Sequence, residues 1–592
     1  MAQSARWHAC RCGSGWPLSA LAPAYRPRRP TETVLYGVVR QYLETFLAHA
    51  RETYEAPLPR YVEEELRGYL KCGVFAHGFT RAHCDTCGHD LLVAFSCKAR
   101  SVCPSCAGRR MANTAAHLVD RVLPAVPVRQ WVLSMPWELR PLAAFKAPVL
   151  SALGRIFVET IFARHRRLAR ASGLGDAPSG AVTFVQRFGS SINLNVHFHV
   201  MVLDGVFTRD ANANPVFHPA PPPTRDELDD VVRRVHRRSI AWLARHGHVG
   251  GTGVLSQEST AQTSLDACAA IAMQRGAVRT LRDDSDSDED DAAGGGRPPR
   301  DESAGEHDGF NVHASVAIAA DDDLGRERLM RYGARPPLAL DRLRRLPGGR
   351  LAYRIKLREG RSKHRVMTPL EFLARLAALV PPPRYPLLRY SGVLGPRSSW
   401  RRDVVPRPPT KAKPCDPSSS TKAKPCDPPT RNQGPAKDAD GRPPRATDTK
   451  RDHAIGDAGT AAALGAVATS RTAAASQPTP GSSAGAKTDP VKSHAAVLLT
   501  LNILSVKHWD RLLGGLLYAA SCRVDWASLL RRSFEVDVLR CARCGGRLRV
   551  LGEVTDPRVV AVVLESLGMP TEAPPVGHAR DPTELLGEAA EE

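Results

Sequence analysis

The sequence has no long uninterrupted apolar run. Its most apolar stretch, residues 495–506, is broken by Thr500 and Asn502, far short of the roughly 18–20 residues a bilayer span needs, so no membrane partner is expected. The first 30 residues hold arginine and cysteine but no apolar core of signal-peptide type, so no secretory leader is read and a cytoplasmic location is expected. Acidic residues are too few to balance the basic ones: 61 Asp and Glu stand against 82 Lys and Arg, a net charge of +21. That excess argues against an ordinary acidic metabolic enzyme and favours a polyanionic partner, nucleic acid first. Aromatic residues make up only 6%, and none lies between Trp400 and Trp509. A stretch without large apolar side chains cannot build a core.

What is present divides the 592 residues into pieces, at most about four of domain size. Residues 1–30 read as a loose terminus, and 31–115 as a helical and cysteine-rich domain. A larger α/β region spans 116–400, interrupted at about 282–308 by the acidic run DDSDSDEDD and a glycine-rich tail. Residues 401–495 read as a disordered linker, in which TKAKPCDP occurs at 410–417 and again at 421–428. A small helical domain with a CxxC pair follows at 496–570, then a tail at 571–592. The first regular element is a helix, because Val34, Leu35, Val38, Tyr42, Leu43, Phe46 and Leu47 recur at helical spacing.

Fourteen cysteines in a reducing compartment read as metal ligands before disulfides. Cys84-x2-Cys87-x15-Cys103-x2-Cys106 has the spacing of a four-thiolate zinc site. The expectation is that the intervening hairpin brings the two pairs onto one structural Zn²⁺. Cys72, Cys97 and His89 are competing ligands. Cys541-x2-Cys544 is a second, incomplete knuckle, with Cys522 or His578 as candidate partners. Lys98, Arg100, Arg109 and Arg110 flank the first site and suit phosphate contacts.

The run Leu194–Leu203 alternates strictly. Asn195, His197, His199 and Met201 share one strand face, and Leu194, Val196, Phe198, Val200 and Val202 the other. Two histidines at i and i+2 on an otherwise exposed face can grip one metal ion. Met201 stands where an HxHxD hydrolase needs an aspartate. Gln186 or Arg187, on the upstream strand AVTFVQRF, could reach the same ion or its bound phosphate.

The segments FSCKARSVCPSCAGRRM, PVRQWVLSMPWELR, FVQRFGSSINLNVHFHVMVLDGVF, LMRYGARPPLAL and RYSGVLGP occur in this order. Together they resemble the transposases of the IS91 type, including their ISCR relatives, over roughly residues 70–400, with weaker likeness at 525–570. The resemblance implies an α+β fold: a small zinc-binding domain, then an HUH (His, hydrophobic, His) nuclease palm with a central antiparallel sheet and flanking helices. It implies that His197 and His199 hold a catalytic Mg²⁺ or Mn²⁺, with Gln186 as a third polar ligand. Tyr332 would be the nucleophile cutting single-stranded DNA at transposon ends and target, inside a bacterial cytoplasm at the nucleoid. Tyr353, Tyr385 and Tyr390 compete for that role. Many relatives carry two tyrosines four residues apart, but here Arg328 and Pro336 stand at those distances from Tyr332, as in the single-tyrosine ISCR branch. Relatives read RYHG where this chain has Arg389-Tyr390-Ser391-Gly392. A plasmid relaxase, a rolling-circle initiator or a decayed copy that only binds DNA are the alternative readings.

Overall fold

The structure is a computed structural model. It describes residues 25, 27–248, 263–274, 278–280, 303–358, 361–406, 525–534 and 536–582. The acidic run at 283–291, the repeated octamer and the helical pattern expected at 496–520 lie outside the described residues, as do Cys10, Cys12, Cys415, Cys426 and Cys522.

The chain opens on α1 (Val34–Thr53), where the sequence pattern places a helix. Thr33 caps it by accepting the Tyr36 N–H at 3.2 Å, satisfying one of the free donors of the first turn. Helix α2 (Arg60–Lys71) follows and leads through Cys72 into the hairpin β1 (Phe79–Cys84) and β2 (Asp90–Ala94). Helix α3 (Pro104–Arg121) starts with Cys103 at its N-cap and Pro104 in its first turn, the position where a missing N–H costs least.

The larger domain is built on an antiparallel sheet of seven strands. Its core is β3 (Val128–Ser134), β4 (Gly180–Phe188) and β5 (Leu194–Leu203), with β5 between the other two. Strand Leu388–Gly392 pairs outside β4, and the hairpin Ala304–His307 and Phe310–His313 pairs outside β3. Helices α4 (Leu139–Phe145) and α5 (Ala147–Ala171) cover one face, where Phe157 stacks on Phe198 at 6.3 Å between ring centres. Val196, Phe198, Val200 and Val202 are fully buried in that layer. The other face is closed by α3 and by a helix at Asp323–Gly333, through Leu118, Val119, Leu329 and Met330 packed on Val182, Phe184 and Met201. Both faces of β5 are therefore buried. This corrects the expectation of an exposed histidine face: the alternation divides two covered layers, not core from solvent. Among the described residues no single helix is long and apolar enough to cross a membrane.

The described part of the C-terminal piece is joined to the N-terminal domain. Strand Leu548–Val554 pairs antiparallel with β1, so the small sheet runs from that strand through β1 to β2. Helix Pro557–Ser566 buries Val560 and Leu564 against Phe79 and Leu92.

Candidate active site and cysteine clusters

The antiparallel register aligns one face of three strands. Gln186 of β4 lies directly across from His197, and on β3 Ser134 lies across from His197 and Val132 from His199. Side chains opposite each other in such pairs point the same way. His197 Nε2 and His199 Nε2 converge to 2.9 Å, and the rings are 1% and 2% exposed. Burial holds both imidazoles neutral. That of His199 is pushed down to about 3, first by desolvation and then by the Arg335 charge. His197 is lowered well below its ordinary value by desolvation, with His199, Arg335 and Arg140 adding to it. Neutral imidazole nitrogens aimed at one point are what a divalent ion requires.

Tyr332 lies near the C-terminal end of the helix Asp323–Gly333. Its ring meets the His199 ring edge-on, 5.3 Å between centres and 85° between planes. It is 41% exposed and lines a cleft. Gly333 permits the approach, because a Cβ there would sit 2.7 Å from the Phe184 ring on β4. The competing tyrosines are held differently, although Tyr353 lines the same cleft as Tyr332. The Tyr385 hydroxyl donates to the Ala143 carbonyl at 2.9 Å, that of Tyr353 accepts the Ala339 N–H at 3.3 Å, and Tyr390 lies under the Arg401 guanidinium.

Gln186 is drawn toward the tyrosine helix. Its Nε2 donates to the carbonyls of Tyr332 at 2.9 Å and Gly333 at 3.1 Å, and its Oε1 accepts from Arg335 Nε at 3.2 Å. Arg187 does not reach the site. It points to the opposite face, stacks on Phe145 and Tyr385, and donates to the carbonyls of Ala144 and Ala378.

Two residues at the site gave no signal in the sequence. Gln130 of β3 places its side-chain amide 2.5 Å from His199 Nδ1. Arg335 lays its guanidinium 4.7 Å from the centre of the Tyr332 ring. A buried glutamine in a strand and an arginine after a helix are common features with no diagnostic spacing. These groups open onto a cleft of 2620 Å³, which Trp526 and Leu530 of the C-terminal helix Trp526–Phe534 line as well.

The cysteines gather into two clusters. Cys84, Cys87, Cys103 and Cys106 do not share one. Cys103 and Cys106 join Cys72 and Cys97, with sulfurs 3.5 Å apart for Cys72–Cys103 and 3.6 Å for Cys72–Cys106 and Cys97–Cys106. Cys84 and Cys87 join Cys541 and Cys544. The physical reason is the hairpin. Cys84 and Cys87 form its tip, while Cys72, Cys97, Cys103 and Cys106 lie at its base, and five to six residues of strand hold the two about 17–20 Å apart. The hairpin separates the pairs it was expected to unite. Four sulfurs around one ion at about 2.3 Å stand about 3.8 Å apart in a tetrahedron, so the spacing at the base suits zinc. The Arg28 guanidinium lies 3.7 Å from the Cys72 sulfur, complementing the excess negative charge of four thiolates.

The flanking cations divide. Arg100 spends its donors on the carbonyls of Pro382 and Tyr385, tying the cysteine-rich domain to the larger one. Lys98, Arg109 and Arg110 are exposed. Arg110 donates to the Lys98 carbonyl at 3.0 Å, and Arg109 faces the cleft.

Residues 38–135 match the family "Transposase zinc-binding domain", of the IS91 type, and residues 180–401 match the family "Putative transposase". The two matches follow in that order and together cover just over half of the chain. No curated protein and no solved structure matches it. The first match encloses the zinc-suited cysteines at the hairpin base; the second encloses the histidine strand and Tyr332. With a zinc-binding module joined to a transposase domain, and DNA as its partner, the chain belongs to the IS91-type transposases.

Proposed function

We propose that this transposase cuts and rejoins single-stranded DNA with Tyr332 as its nucleophile. One observation carries the reading: among the described residues, the half-exposed Tyr332 ring is the one that meets the buried histidine pair edge-on. His197 and His199 would hold a divalent ion through their converging Nε2 atoms. The fit is supported by their 2.9 Å separation, close to the distance between two nitrogens that ligate one ion at right angles. When bound, such an ion supplies Lewis acidity to a phosphoryl oxygen; imidazole ligands suit Mn²⁺ and oxygen ligands suit Mg²⁺.

The protein's own groups do the rest. Gln130 acts as a positioning residue. Its side-chain amide meets His199 Nδ1 through Nε2; a half-turn of the amide, which exchanges its O and N, lets Oε1 accept the Nδ1 proton instead and leaves His199 Nε2 bare for the metal. Gln186 binds the end of the tyrosine helix, and the second lone pair of its Oε1 remains for the metal role expected from the family. Arg335 supplies a fixed positive charge beside the phenol, where the phosphate must lie.

The Tyr332 oxygen attacks phosphorus in line. The new O–P bond forms as the bond to the 3′ oxygen breaks; the phenol gives up its proton and the departing 3′ oxygen takes one up. The products are a free 3′-OH and a 5′-phosphotyrosine, which conserves the energy of the cut. Attack by another 3′-OH reverses the step and joins strands without a nucleotide cofactor. A flexible single strand lets the phosphate splay into a site this enclosed.

The test is mass spectrometry of the full chain incubated with Mn²⁺ and single-stranded oligonucleotides copied from the DNA flanking its reading frame. A covalent adduct should map to the peptide containing Tyr332, and Tyr332→Phe should abolish it while oligonucleotide binding persists. An adduct on another tyrosine, or cutting by the variant at the parental rate, would refute the assignment.

A further inference from the structure

The cysteines at the hairpin tip have a use of their own. Cys84-Asp-Thr-Cys87-Gly88 and Cys541-Ala-Arg-Cys544-Gly545 fold alike. In each, the glycine N–H donates to the first cysteine's carbonyl, at 2.9 Å for Gly88 and 2.9 Å for Gly545. In each, the first cysteine's own N–H turns back to the residue after the glycine, at 2.9 Å to His89 and 2.7 Å to Gly546. Both glycines sit at positive φ, +69° and +75°, which costs glycine nothing. The two turns face each other and their sulfurs cross, 3.5 Å for Cys84–Cys544 and 3.6 Å for Cys87–Cys541. A disulfide would need about 2.05 Å; four thiolates on one ion stand about 3.8 Å apart. Gly546 lets the knuckles close, because a Cβ there would lie 3.0 Å from Thr86 Oγ1 and 3.3 Å from Cys544 Sγ. The ligand pairs are 454–460 residues apart in sequence, and the matched zinc-binding domain ends at residue 135, so the domain cannot complete this centre by itself.

We propose that Cys84, Cys87, Cys541 and Cys544 bind a second zinc ion, a clasp that fastens the C-terminal segment to the N-terminal domain and so braces the tyrosine helix. The strand Leu548–Val554, which sets Leu548 opposite Cys84, leads directly out of the second knuckle. Upstream of that knuckle, helix Trp526–Phe534 drives Arg532 between Asp120 of α3 and Glu327 of the tyrosine helix, at 3.0 Å and 2.9 Å. Glu327 also holds Arg331, the neighbour of Tyr332, at 2.7 Å, and Arg331 donates to Ser533 at 3.2 Å. These charged groups are almost fully buried, so removing Arg532 takes a cation that Asp120 and Glu327 share out of a dry site. The zinc centre stands on the cysteine geometry alone; its effect on cleavage rests also on the reading of Tyr332 as nucleophile.

The full chain, purified with zinc present, should contain two zinc ions by elemental mass spectrometry, and Cys541→Ser with Cys544→Ser should contain one. One ion in both proteins overturns the second centre. A second measurement needs no variant. In the native protein Cys541 and Cys544 should resist iodoacetamide and react at least tenfold faster after chelation; Cys544 is exposed, so equal labelling before and after chelation also overturns it. In the double variant the amides of β1 should exchange faster, and cutting of the oligonucleotides should fall at least tenfold. Two zinc ions with unchanged cutting would leave the metal and remove the brace. If the parent forms no adduct at Tyr332, the proposed nucleophile fails, and the zinc count still decides the clasp.

Discussion

Gln130→Leu isolates the part of the proposed mechanism that no sequence pattern announces. Leucine is close in size and apolar, so the buried site stays filled; what is lost is the group 2.5 Å from His199 Nδ1. The Gln130 amide approaches neither the Tyr332 ring nor Arg335 by any hydrogen bond, and it sits on β3, one strand across from the ligand. Its removal frees His199 to carry its proton on Nε2, the nitrogen that faces His197. Loss of an outer partner of a metal-bound histidine weakens metal binding about 10–100-fold, or about 1.4–2.7 kcal/mol. The uncoupled Nδ1 adds about 1–3 kcal/mol of instability. The assay is the initial rate of oligonucleotide cutting as a function of Mn²⁺, with direct Mn²⁺ titration by electron paramagnetic resonance. The midpoint should rise 10–100-fold, while the rate at saturating Mn²⁺ returns to within a few-fold of the parent. An unmoved midpoint would refute the reasoning about the tautomer. A shifted midpoint with a permanently low plateau would show that Gln130 does more than orient the ligand.

Gly333→Ala presses a methyl group against Phe184, 2.7 Å from its ring; overpacking of this kind costs about 1–3 kcal/mol, and because it lifts the helix end that carries Tyr332 it should slow cutting while Mn²⁺ binding is kept, whereas unchanged cutting would show the helix free to adjust. His165 is 1% exposed and its imidazole is pushed down to about 3 by burial, with Arg164 and Arg129 adding. Its neutral form is the one that folds. Above pH 6.5 it is neutral in both states and its contribution is fully present; as pH falls the unfolded chain gains a proton that the folded chain refuses, so stability is lost from pH 6.5 down toward 3. Because the unfolded imidazole is only half protonated at pH 6.5, the full slope of about 1.4 kcal/mol per pH unit is reached below it; His165→Gln should lose about 2 kcal/mol less than the parent between pH 6.5 and 4.5 in urea denaturation, and equal losses would show that this group does not govern the acid limb.

Much of the site was legible because local periodicity is a local property. A strand alternates whatever it packs against, so His197 and His199 had to share a face, and the segment order around them carried the family likeness. The prediction that this face was open failed because alternation reports two different surroundings and cannot tell a polar covered layer from water. Gln130 and Arg335 escaped notice because nothing within their own segments marks them; each matters only through a neighbour from another strand or helix.

The cysteines make the division plain. The spacing C-x2-C determined that Cys84 would pair with Cys87, Cys103 with Cys106 and Cys541 with Cys544, because two intervening residues allow one tight turn to aim both sulfurs at a single point. Which turns would meet was decided only in three dimensions. The rigid length of one hairpin kept the first two pairs apart, and the pairing of a C-terminal strand with β1 delivered the third to the hairpin tip. Spacing in sequence governs what a turn can reach, while long-range strand pairing governs what lies within that reach.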